Sequence, residues 1–248
     1  MRRLITALGI AVLAAFACAG PANAATGTYL RLAHLSPDTP DVDVLVTSFS
    51  GTTTRLAGVG YGDVSSYTRI EPGTYTVQMR MAGAPDSTPP IVSTTLRAQA
   101  GDAYTAAGLG MRDGLSLRVL DDDLTPPPPG QARVRVVQGA EQSGPVAVRW
   151  DGTAMAAAVG FGDATGYVDV PAGRGTFDVN PTTGDAAQLP VSLDAGGVYS
   201  VVLVQRAGRL SGEVRTDAAG PGRVPVGGVE TGMGGTAGPS TGPLIVLP

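Results

Sequence analysis

His34 is the chain's single histidine, and Asp38, Asp41 and Asp43 follow it within nine residues. These residue types could supply a general base or, as hard oxygen donors, a calcium site, which needs about 6–8 oxygens. A catalytic histidine also needs a nucleophile on one side and an orienting acid on the other, and no spacing around His34 marks either. Alternation with Leu30 and Leu32 places His34 at the end of a strand, its ring partly buried and tying down loop backbone; its counterpart in the second half, Gln138, is also polar. For Asp38, Asp41 and Asp43 the competing reading is that Asp38 caps a Pro-containing turn while Asp43 points outward from a strand. The matching positions Gln142, Pro145 and Ala147 carry no acid, so an ion common to both halves is not expected. Asp121 to Asp123, just before Pro126 to Pro129, reads as a solvated linker entry. No two carboxylates are singled out as a glycosidase pair.

A second constellation is glycine-rich. Gly60-Tyr61-Gly62-Asp63, with Tyr67 and Gly73, returns at identical internal spacing as Gly160-Phe161-Gly162-Asp163, with Tyr167 and Gly173. A phosphate loop would require a strand-to-helix context and a lysine, whereas all basic residues here are arginine. The motif reads as a tight strand connection. Its glycines supply positive φ or close approach, its aromatic ring packs on a sheet, and Asp63 and Asp163 accept backbone hydrogen bonds in the turn. Twofold recurrence implies two tandem copies of one module.

The elements that must hold these turns are strands. Tyr75 to Met81 alternates apolar with polar residues, as does Leu115 to Val119, the period of a half-buried sheet. Further strand-like runs are Tyr29–Leu35, Val42–Thr47, Ser66–Ile70, Ile91–Ala98 and Ala103–Leu109. In the second half, Arg133 to Val137, Val146 to Trp150 and Gly197 to Leu203 match strands of the first, with Trp150, the lone tryptophan, as a packing anchor. About seven short strands per copy predict an all-β chain of two tandem Ig-like antiparallel β-sandwich domains. The expected organisation is a signal peptide over 1–24, a first repeat over 25–124, and a Pro-rich linker over 125–131 that tends to polyproline II and holds the modules apart. A second repeat over 132–219 and a disordered Gly/Pro-rich tail over 220–248 complete it.

Arg2 and Arg3, an apolar run over Leu4 to Ala17, and Ala22-Asn23-Ala24 form the leader, with cleavage near Ala24. Its apolar run is shorter than the roughly 20 residues a membrane span requires, so no transmembrane anchor is expected in the mature chain. Cleavage removes Cys18, the only cysteine. The mature chain is then expected to fold without disulfides, and one histidine cannot complete a zinc set. It keeps 15 basic against 21 acidic residues, a net charge of about −6, which argues against nucleic acid. No cofactor is expected.

Arg31-Leu32-Ala33-His34-Leu35-Ser36-Pro37-Asp38-Thr39-Pro40-Asp41-Val42-Asp43-Val44, with Gly62 to Tyr67 and Pro72 to Tyr75, resembles the bacterial family of domain of unknown function 4397. The resemblance covers Tyr29 to Ala219 as two copies, the second departing at Gln138-Gly139-Ala140-Glu141. It implies a secreted or cell-wall-associated protein with no established enzyme activity. The functional expectation is an exported, non-enzymatic cell-envelope or extracellular binding or adhesion-type protein that contacts a cell-wall glycan or a surface protein. The alternatives are an exported carboxylate-dependent hydrolase acting on a wall polymer and a purely structural spacer.

Overall fold

The computed structural model describes residues 27–219 and 225–226. The leader and its cleavage site lie outside the described residues, as does the tail apart from Pro225 and Val226. Among the described residues no helix is long and apolar enough to cross a membrane. Among the described residues the only helical elements are short 3₁₀ turns at Arg112–Gly114 and Glu141–Ser143.

The first half contains β1 (Thr28–Leu35), β2 (Val42–Ser48), β3 (Thr53–Val59), β4 (Thr68–Ile70), β5 (Gly73–Met81), β6 (Val92–Ala98), β7 (Ala103–Leu109) and β8 (Ser116–Asp122). The second repeats the series as β9 (Gln131–Gln138), β10 (Val146–Trp150), β11 (Thr153–Val159), β12 (Val168–Pro171), β13 (Gly173–Pro181), β14 (Ala187–Leu193), β15 (Val198–Arg206) and β16 (Arg209–Ala218). The sheet orders are β4-β1-β7-β8 and β3-β2-β5-β6, then β12-β9-β15-β16 and β11-β10-β13-β14. Each half is therefore a β-sandwich, antiparallel except that β1 runs parallel to β7 and β9 to β15. A parallel pair needs a long crossover, and the excursion through the opposite sheet supplies it. Strand β3 was not anticipated, because its exposed Thr53-Thr54-Arg55 gives no apolar alternation.

Alternation decides what each strand buries. Leu30 and Leu32 of β1 join Val44 and Val46 of β2, Val77 of β5 and Tyr104 and Ala106 of β7 in the first core. Val134, Val136, Val148, Phe177, Val201 and Leu203 build the second. The intervening residues of the same inner strands form a further apolar layer, in which Ala33, Leu35, Ala107 and Leu109 meet Val137, Val202 and Val204. The inner sheets are thus buried on both faces and the modules stack as four layers. The Pro-rich stretch does not hold them apart: Leu124 at its entry is buried with Tyr29, Tyr67, Val198 and Ala218 from both halves. The apolar outer faces of β1, β7, β9 and β15 need cover, and each module covers the other's.

Candidate functional site

The repeat signature lies where the modules meet. Gly62 adopts φ +88° and Gly162 +79°, a left-handed geometry that favours glycine. It lets the Gly62 N–H bond to the His34 carbonyl at 2.7 Å and the Gly162 N–H to the Gln138 carbonyl at 2.8 Å. Asp63 closes its turn by accepting the Gly60 N–H at 2.8 Å. From the first turn the Tyr61 hydroxyl crosses to the second module, donating to the Gly139 carbonyl (3.1 Å) and accepting the Gln205 N–H (2.8 Å). Phe161 cannot do this. At the second turn Arg118 of the first module reaches over to the Gly162 carbonyl (3.1 Å) and the Asp163 carboxylate (2.9 Å). Gly73 and Gly173 sit elsewhere, opening β5 and β13 at φ +156° and +124°.

Tyr67 and Tyr167 belong to a buried polar network that spans the interface with pseudo-twofold symmetry. Arg31 bonds its own module's Thr105 (2.8 Å) and reaches Asp217 (2.6 Å) and Ser200 (3.1 Å) in the other. Arg135 bonds its own Ser200 (2.9 Å) and crosses to Asp122 and Thr105. Tyr67 donates to Asp122 and Tyr167 to Asp217, at 2.6 and 2.8 Å, while Arg31 and Arg135 lie over the Tyr67 and Tyr167 rings at 4.6 and 4.9 Å. Two arginines and two aspartates make the cluster neutral. Burial opposes the Arg31 charge, but Asp217, Tyr67 and Asp122 outweigh it and its pKa is raised. Burial, then Asp122 and Asp217 respectively, pushes the Tyr67 and Tyr167 hydroxyls up, so both stay protonated donors.

His34 is buried, with Nε2 3.4 Å from the Pro40 carbonyl and Nδ1 3.4 Å from the Ser36 N–H. Burial lowers its pKa against the opposing pull of the Pro40 and Thr39 carbonyls. Gln138 performs the same task, bonding the Ala140 N–H (2.9 Å), Ser143 Oγ (2.9 Å) and the Gly144 carbonyl (3.2 Å). Both ring nitrogens of His34 are engaged by backbone.

The three aspartates are divided among separate tasks. Asp38 accepts the Arg112 N–H at 2.8 Å, and Asp41 lies beside Gly60. Asp43 does not point outward as expected. It is 2% exposed, accepting the Gly58 and Gly83 N–H groups (both 2.9 Å) and pairing with Arg55. The Gly83 N–H, Arg55 and the Gly58 N–H hold its pKa below the ordinary carboxylate value. Among the described residues no three His, Cys, Asp or Glu side chains are grouped so as to hold a metal ion.

A feature the sequence did not disclose is a groove of about 450 Å³ at the mouth of the first sandwich, between edge strands β3 and β4. Leu30, Leu32, Val46, Leu56, Ile70 and Tyr75 form its floor and Ser, Thr, Arg55, Arg69 and Glu71 side chains its rim. Phe49, 89% exposed, sits between the lining residues Ser48 and Ser50. In the second sandwich Trp150 takes the register position of Val46, facing Phe177 where Val46 faces Val77, with ring centroids 4.6 Å apart. Its ring lies over Gly175, where any Cβ would come within 2.4 Å of it, whereas the corresponding residue of the first module is Tyr75. The signal was present in the sequence as Val46/Tyr75 against Trp150/Gly175, but pairing the four required the strand register.

The model of the family described as domain of unknown function (DUF4397) matches residues 28–149 and again 139–224. The chain belongs to this family. No curated protein matches it in sequence. Among solved structures, the DUF4397 chain overlaps CBMbc, a family CBM26 module from Eubacterium rectale Amy13K solved with maltoheptaose, at 13% identity and TM-score 0.25, covering 77% of this chain and 98% of that one. It also overlaps the C-terminally truncated tip fimbrial protein Mfa3 of Porphyromonas gingivalis, at 10% identity and TM-score 0.25, covering 76% and 98%. Overlaps this loose carry no argument about the role of a DUF4397 protein.

Proposed function

We propose that this is an exported, non-enzymatic binding protein of the cell envelope or extracellular space, whose first sandwich takes an extended segment of a surface protein in the groove between β3 and β4. The observation that carries the reading is the groove itself, open in the first module where Trp150 fills the equivalent position in the second. Unpaired strand edges beside an apolar cleft suit main-chain pairing, with alternate side chains entering the cleft. The groove lining includes one carboxylate, Glu71, where acid-catalysed glycoside hydrolysis uses two. His34 is committed to loop backbone. The leader over 1–24 supports export, and the second module braces the first across the buried network.

The test titrates labelled mature chain onto isolated cell walls of the producing cells, with and without prior protease treatment. Saturable binding lost after protease is expected, with release of soluble wall fragments no faster than in a blank. Binding that survives protease would assign the groove to a glycan, and steady release of fragments would overturn the non-enzymatic reading. Val46→Trp combined with Tyr75→Gly transplants the second module's seal and should weaken binding more than tenfold, about 1.4 kcal/mol. Thr54→Lys, at the groove rim, should weaken it without touching the core.

A further inference from the structure

The first sandwich carries an apolar cleft with no ring in it and, beside the cleft, a ring with no cleft around it. Phe49 is 89% exposed, and no other large apolar side chain among the described residues is more than half exposed. Its backbone is pinned by the hairpin. The Ser48 N–H bonds to the Thr52 carbonyl (2.8 Å), the Gly51 N–H to the Ser48 carbonyl (2.9 Å), the Thr52 N–H to Ser48 Oγ (3.0 Å) and the Phe49 N–H to the Thr74 carbonyl (3.0 Å). An aromatic side chain presented from a fixed backbone is suited to anchor a protein interface. Arg69 and Glu71 stand on the groove rim, and neither has an ion-pair partner among the described residues. One unanswered charge of each sign on a single rim is complemented by a twofold-related copy of that rim, Arg69 meeting Glu71 in both directions. We infer that the groove's partner is a second copy of this chain, the Phe49 hairpin of each entering the groove of the other.

The second module lacks every part of this arrangement together. Its hairpin turns through Asp151 and Gly152 and holds no ring in solvent. Trp150 lies against Phe177 where the first module has Val46 beside Val77. Strand register places Asp169 where the first module has Arg69, with Pro171 in the place of Glu71, and Asp169 is committed to Arg133 of its own module at 2.8 Å. Ring, cleft and paired rim charges that are present together in one copy and absent together from the other point to one self-complementary surface. Two phenylalanine rings supply about 300–500 Å² of buried surface, short of the roughly 1,200 Å² that marks a stable interface. Two chains in solution therefore associate weakly and reversibly. Many copies facing one another on two surfaces gain by multivalency.

This inference rests on the groove proposed above and names its partner. The test follows the full mature chain by sedimentation over a concentration series and, coated on beads, by bead clustering. Phe49→Ala keeps the groove, and Val46→Trp with Tyr75→Gly keeps the ring. Each should weaken self-association by about tenfold or more. Mixed, the two should pair with one another more than either pairs with itself, through one ring in one groove. Arg69→Glu should also weaken association, and adding Glu71→Arg to the same chain should restore it, because the rim is again self-complementary. A monomer at every concentration up to about 1 mM, or beads that stay dispersed, would overturn the inference, as would self-association that survives loss of the Phe49 ring. If Phe49→Ala leaves wall binding unchanged while Val46→Trp with Tyr75→Gly abolishes it, the second copy fails as the partner and the binding groove stands. Self-association that needs both ring and groove, without groove-dependent wall binding, gives the reverse.

Discussion

The two sandwiches share strand order and turns yet differ at their mouths. Val46 and Tyr75 line a groove in the first, while in the second Trp150 lies over Gly175 and tilts against Phe177. The hairpins beside them differ too. The second turns tightly through Asp151 and Gly152, both at positive φ, whereas the first extends through Phe49, Ser50 and Gly51 and holds an aromatic ring in solvent. The duplicated modules keep Arg31 and Arg135 and their partners in register across the interface while their cores differ at several positions, Val46/Tyr75 against Trp150/Gly175 among them. On the proposed reading one copy presents a cleft and the other braces it.

The largest losses should come from removing what the second copy contributes. Asp217→Ala leaves Arg31 buried without its carboxylate and should cost about 3–5 kcal/mol; Trp150→Ala, which opens the sealed mouth, should cost a similar amount. Urea denaturation reads both, and a loss below about 1 kcal/mol in either case would mean that the brace is not where the structure places it. Tyr61→Phe makes the first turn like the second and removes the hydroxyl between Gly139 and Gln205. It should cost about 1–2 kcal/mol, measured as a shift in the urea midpoint.

The smallest effect at neutral pH is expected for His34→Gln, which installs the second module's loop tie in the first. Its signature is in the pH dependence. The folded state holds His34 below its ordinary value of 6.5, so between the two values the unfolded chain binds a proton that the native chain does not. Stability contributed by neutral His34 is complete above about 6.5 and is lost as pH falls toward the lowered native value. The variant should flatten that acid limb in denaturation series run from pH 7 downward. An unchanged slope would show that His34 does not titrate with folding.

Much of this was legible one strand at a time. Tyr75 to Met81 alternates because β5 buries one face, and the doubled Gly-aromatic-Gly-Asp turn announced two copies because its geometry requires glycine at Gly62 and Gly162. The packing of the modules on each other was signalled less plainly. Val201-Val202-Leu203-Val204 and Ala103 to Leu109 are runs without polar alternation, the mark of strands buried on both faces, but the Pro-rich stretch between the halves read as a spacer. Nothing in the local pattern around Arg31 and Arg135 pairs either with a carboxylate. They are the centre of the interface, because each finds its carboxylate in the other module.

The sequence by itself determined the β architecture, the duplication and the family, since side-chain period and glycine-dependent turns are local properties of the chain. Tertiary structure alone decided which aspartates are spoken for, how Arg31, Asp122, Arg135 and Asp217 neutralise one another, and which sandwich stays open. Those outcomes depend on register between strands far apart in the chain. A one-residue slip would turn every such side chain to the opposite face.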